Sequence, residues 1–150
     1  MPSGQHEINI GIPIESVWEF VKDMDHWAPL LPGYISHEKI SEKMSNWTFK
    51  ETIGFMKKKI SLQVTIKEWK EPTKVTFVLK GINENLTGNG YFLAEAISSN
   101  ETKMTGFLEM EAHGAMAPVM NGVLKNNLPK TGQELTEAIA RKLTGKMQND

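Results

Sequence analysis

The residues able to do chemistry are few, and the most informative of them is Glu51. Period-two alternation places it on one strand face with Trp47, Phe49, Ile53 and Phe55. A carboxylate in such company costs several kcal/mol unless it is paired, hydrated or neutralised. Glu51 therefore reads either as the polar anchor or general acid of an apolar pocket, or as a residue that reaches water through a bulge or a sheet edge. Cysteine is absent, which excludes disulfides, thiolate metal ligands and cysteine nucleophiles. His26, His37 and His113 are dispersed, and their spacing forms no metal signature. No catalytic set assembles beyond Glu51, and nothing calls for a metal or a cofactor.

Two further groups have alternative readings. Met104, Met110, Met116 and Met120 suit an adaptable binding surface or plain core filling. Lys57, Lys58 and Lys59 read as a hairpin turn, solvated or touching anionic lipid at ~1 kcal/mol per charge. Three glycosylation sequons, headed by Asn46, Asn85 and Asn100, read as chance matches in a chain without a secretory signal.

The elements that must position these residues follow from periodicity. His6 to Ile12 alternates as a half-buried strand. Pro13 opens a helix that carries Ile14, Val17, Trp18 and Val21 on one stripe. A short helix over 25–31 follows, ended by Pro32 and Gly33. Six strands are expected over 34–44, 46–56, 59–70, 74–81, 86–97 and 102–113. Their short connections predict an antiparallel meander. A turn at 56–59 would pair Phe55 with Ile60, Ile53 with Leu62, and Glu51 with Val64. The last two strands carry Gly88, Gly90, Ala94, Ala96, Gly106 and Ala112 on the inner face, a volume for a close helix or a ligand. A final helix from Ala117 to about Lys146 is expected, with Met116, Val119, Met120, Val123, Leu124 and Leu128 on one stripe that Leu135, Ile139 and Leu143 continue. Pro129 must kink or split it.

At 150 residues this is one domain, 1–150, able to bury a core. A net charge of −1 leaves no electrostatic footprint for nucleic acid. No stretch reaches the ~18 apolar residues of a membrane span, and the expected compartment is the cytoplasm.

The order of strand, two small helices, six-strand meander and long terminal helix resembles the helix-grip fold of the START/SRPBCC superfamily. Lipid-transfer START domains, birch-pollen-allergen-like proteins and polyketide cyclase-like proteins share it. The run from Ile8 to Phe20, with its proline break and Val17-Trp18 pair, carries the resemblance. Through Asp25, Leu31-Pro32-Gly33 and Gly114 the chain is similar to the CoxG-like group associated with carbon monoxide dehydrogenase. The resemblance implies an α+β domain, a curved seven-stranded antiparallel sheet around the C-terminal helix, with a cavity between them.

The expected function is binding of a small hydrophobic or amphipathic ligand, such as a lipid, isoprenoid, quinone or polyketide. The expected lining is Trp27, Phe49, Ile53, Phe55, Leu62, Val64, Phe77, Phe92, Met110, Met116, Met120 and Leu124, with Glu51 as the orienting contact. The helix around Trp27 and its Pro32-Gly33 exit would gate it. Two alternatives stand beside this: a cyclase or hydratase-type enzyme using Glu51, and an accessory protein for a partner enzyme, a molybdenum hydroxylase, as the CoxG-like resemblance implies. Val78, Tyr91, Leu93 and Phe107 on the outer face suggest a homodimer surface.

Overall fold

Alternating Ile8 and Ile10 make the first strand, β1 (Ser3–Ile10), and Pro13 ends the extended run before α1 (Ile14–Val21). Pro13 stands one position earlier than expected, as the cap residue. Its carbonyl accepts from Ser16 and Val17 at 3.0 and 3.2 Å. Val17, Trp18, Phe20 and Val21 bury one face of α1 over β6 (Leu86–Ser98) and β7 (Glu101–Ala112). The Asp23 carboxylate accepts from the Asp25 backbone N–H at 2.9 Å and starts α2 (Met24–Trp27). Pro29 tightens the continuation into a 3₁₀ turn, Ala28–Leu30. Gly33 then turns the chain at φ +75°. A side chain there would collide with the Lys50 carbonyl, so glycine alone fits.

The computed structural model describes residues 2–53 and 56–148, and all side chains among them except those of 52, 53, 56 and 146–148. The strands β2 (Tyr34–Lys39), β3 (Met44–Ile53), β4 (Met56–Lys70), β5 (Lys74–Gly81), β6 and β7 form an antiparallel meander. β1 returns beside β7, giving the order β1-β7-β6-β5-β4-β3-β2. The seven-stranded α+β helix-grip expectation is met. The bounds of β2 are not: it stops at Lys39, because Ile40 and Ser41 both donate to the Met44 carbonyl and close a tight turn.

The register between β3 and β4 also differs from expectation. Phe49, not Phe55, faces Ile60; Trp47, not Ile53, faces Leu62; Ser45, not Glu51, faces Val64. The three lysines belong to β4 rather than to a turn, and Glu51 lies opposite Lys58, an opposite-charge pair suited to a strand ladder. The shift from Phe55 to Phe49 is six residues, an even number, so every side chain keeps the face its alternation assigned.

The long helix α3 (Ala117–Gln148) runs over β1 and β7. Pro129 lies inside it without splitting it. Small residues let it approach closely. A Cβ on Gly4 would run into the Leu128 carbonyl, and one on Gly106 would stand 2.8 Å from the Thr136 hydroxyl. Gly4 and Gly106 thus serve close helix packing, whereas Gly88 and Gly90 of β6 lie against Met110 and Phe77, and a cavity bordered by β3 to β7 remains. Among the described residues, no helix is long and apolar enough to cross a membrane.

Candidate functional site

Between the sheet and α3 lies a cavity of about 140 Å³. Its wall is built from three sources. β3 to β7 supply Trp47, Phe49, Glu51, Ile60, Leu62, Val64, Phe77, Leu79, Leu86, Phe92, Leu108 and Met110. α3 supplies Met120, Val123, Leu124, Asn127, Leu128 and the residues beyond. The segment around α2 supplies Trp27, Leu31 and Pro32.

Of the residues singled out from sequence, Trp27, Phe49, Glu51, Leu62, Val64, Phe77, Phe92, Met110, Met120 and Leu124 border this space. Phe55 and the side chain of Ile53 lie outside the described residues. Met116 is a correction. It precedes the helix, so the helical stripe does not carry it inward. It stands 60% exposed beside a shallow outer hollow with Ala115 and His113. Met104 is fully buried opposite Ala94 and Ile8, where it is core.

Trp27 lines the cavity from the α2 side. Its indole N–H donates to the Val21 carbonyl at 2.9 Å, anchoring the ring to the last turn of α1. The ring meets Trp47 edge-on at 5.3 Å and lies 6.2 Å from Phe77. The short helix is fastened from outside. His37 on β2 bridges the Asp25 carboxylate (2.7 Å) and the Tyr34 hydroxyl (2.6 Å), and Lys39 stands 3.6 Å from both Asp23 and Asp25. The His37 hydrogen bond, helped by Lys39, holds the Asp25 carboxyl below its ordinary value against the opposing effect of burial.

Glu51 is half-buried, and its Oε1 accepts from Asn127 Nδ2 at 2.9 Å. This pair spans from β3 to α3. The remaining acceptors of both side chains can receive a donor from a guest molecule. Thr136 is already satisfied by the Gly132 carbonyl at 2.7 Å. Tyr91 and Phe107 also border the cavity. Alternation turns their rings to the outer sheet face, where they stack at 5.2 Å with Lys74 over Tyr91. Sequence reasoning missed Asn127, which reads as a solvent-facing helix position, and Trp47 as a wall residue. Only the alternation that includes Trp47 with Glu51 pointed to it.

The other sequence candidates have local partners. His26 Nδ1 contacts the Phe20 carbonyl at 2.8 Å, and His113 Nε2 the Thr87 hydroxyl at 2.8 Å. Lys58 is ion-paired with Glu84. Asp25 clasps His37, Leu31 and Pro32 line the cavity, and Gly33 makes its turn, so these motif residues all have structural duties here.

A protein-family model matches residues 1–146. The fold is that of solved structures across almost the full chain. A START superfamily protein from Mycobacterium smegmatis superposes with a TM-score of 0.76 at 12% identity, covering 95% of this chain and 97% of its own. The chain has the helix-grip fold of that START superfamily protein. A conserved protein from Geobacillus kaustophilus gives a TM-score of 0.79 at 18% identity, covering 95% of both chains. The Zhui aromatase/cyclase from Streptomyces sp. R1128 gives 0.61 at 12% identity, covering 93% of this chain and 94% of that one. At such identities the helix-grip likeness speaks for fold and not for activity. No curated protein matches the sequence.

Proposed function

We propose that this helix-grip protein binds a small, largely apolar molecule between its sheet and α3. The observation that carries the reading is the composition of the wall: an apolar cavity in which Glu51 and Asn127 form a hydrogen-bonded polar pair. The size narrows the guest. A cavity of about 140 Å³ resembles the ~150 Å³ apolar cavity that stays dry and takes up benzene, so one aromatic ring fits it as it stands. A longer lipid or a fused polycycle exceeds this volume. Native mass spectrometry of protein purified without detergent, followed by solvent extraction, tests this. A reproducible added mass that partitions into organic solvent supports it. A protein that stays bare and takes up no aromatic probe at millimolar concentration is not a binder.

A second reading uses the same carboxylate as a proton-transfer group in a cyclase or hydratase reaction. It is favoured by the direct access of Glu51 to the cavity. Loss of turnover in Glu51→Gln with ligand affinity retained would support it, and full turnover would remove it.

A further inference from the structure

The cavity wall carries charge of one sign. Among the described residues, Glu51 is the only bordering side chain charged at neutral pH, and no Lys, Arg or His stands on the wall. Its cross-strand neighbour Lys58 is engaged by Glu84. A carboxylate among apolar side chains needs a partner, and Asn127 supplies one through Nδ2 at 2.9 Å.

That bond decides which polarity is left over. A carboxylate only accepts, so the Asn127 amide turns its nitrogen toward Glu51 and keeps its oxygen as a further acceptor. The second Glu51 oxygen and the Asn127 carbonyl oxygen receive no donor among the described residues. The buried side-chain atoms without a partner are Asn46 Oδ1 and Trp47 Nε1. The two free acceptors are not among them and stay open to a small molecule. Thr131 borders the cavity one helical turn beyond Asn127, and its hydroxyl serves as donor or acceptor. The pair itself offers acceptors to a guest.

We propose that the guest presents an uncharged hydroxyl donor to Glu51 and Asn127, as a single-ring phenol does, and that the site refuses carboxylates. This rests on the cavity reading above and deepens it by assigning the guest's polar group. An anionic guest brings a second negative charge beside Glu51, with no cation on the wall to offset it. A cationic amine is attracted to Glu51, but burying that ion pair costs the hydration of both charges. A phenol gains a hydrogen bond to a charged acceptor and brings no charge of its own.

Four probes of similar shape differ in one substituent: 4-ethylphenol, 1-ethyl-4-fluorobenzene, 4-ethylbenzoate and 4-ethylbenzylamine. In calorimetric titrations at neutral pH, 4-ethylphenol is expected to bind about tenfold tighter than the fluoro compound. The benzoate and the protonated amine are expected to bind at least about tenfold more weakly than the phenol. Glu51→Gln removes the charge and keeps an acceptor for Asn127. It should narrow the gap between phenol and benzoate about tenfold and leave the fluoro compound within about twofold. A merely structural role would shift all four alike. The wild-type ranking decides alone should the variant not fold. If the fluoro compound, the benzoate or the amine binds wild type as tightly as the phenol, the hydroxyl assignment is overturned while the cavity reading stands. If none of the four binds, both fall together.

Discussion

Asn127 on α3 donates a hydrogen bond of 2.9 Å to Glu51 on β3, joining the long helix to the sheet at the wall of an apolar cavity. The bond makes helix position and ligand polarity one problem. Asn127→Ala should cost about 1 kcal/mol in urea unfolding. Asn127→Asp should cost more than Asn127→Ala, because it sets two carboxylates at hydrogen-bond distance. Equal midpoints for the two variants would show that Glu51 turns to solvent when its partner is lost.

Phe77 bounds the cavity between Trp27 and Gly90, where a Cβ would stand 2.6 Å from the Phe77 ring. Phe77 is partly buried and borders the cavity, so a larger ring there takes space from a guest. Phe77→Trp is therefore expected to lower 4-ethylphenol affinity at least tenfold by filling the cavity, while the unfolding midpoint falls only modestly, by about 1–3 kcal/mol of overpacking. Unchanged affinity in a folded variant would place the bound ring elsewhere.

A glycine packed against α3 and a glycine exposed within it should respond in opposite directions to one added methyl. Gly4→Ala drives a Cβ into the Leu128 carbonyl and should destabilise by about 1–3 kcal/mol. Gly122, inside α3 with nothing within 4 Å of its would-be Cβ, should gain about 0.5–1 kcal/mol on Gly122→Ala. Thermal melts of the two variants beside the wild type are sufficient.

Acid should loosen the clasp on α2. The folded Asp25 carboxyl titrates below its ordinary value, chiefly through His37. The unfolded chain therefore binds this proton first as pH falls. The clasp's contribution to stability is full above an unfolded value near ~3.9 and is lost as pH drops through the lower folded value. Denaturant midpoints measured from pH 6 to pH 2.5 should fall more steeply for wild type than for Asp25→Asn. The side chain is largely exposed, so the difference should shrink in high salt. Parallel curves would assign the clasp no energetic role.

Much of the fold was legible because alternation survives errors of detail. The lysines at 57–59 looked like a turn because polar runs usually mark loops, yet exposed lysines extend β4 without penalty. The resulting register error was even, so the inward face containing Trp47, Phe49 and Glu51 was read correctly. Long-range polar pairs were not legible. Asn127 meets a residue 76 positions away, and Asp25 meets His37 across 12, and neither separation follows a local period. Met116 was misassigned because the periodic stripe was carried one residue past the start of the helix.

The pairing of β1 with β7 has a consequence for how the chain is made. Ser3 lies against Glu109, 106 residues further along. β1 leaves the ribosome well before β7 and α3, and it waits for both before its paired edge and its apolar face are covered. Contacts of such separation slow folding, and an unpaired apolar strand held open meanwhile invites the wrong neighbour. Ile8 and Ile10, the residues that commit the strand to the core, are thus the ones a nascent chain must keep from other chains longest.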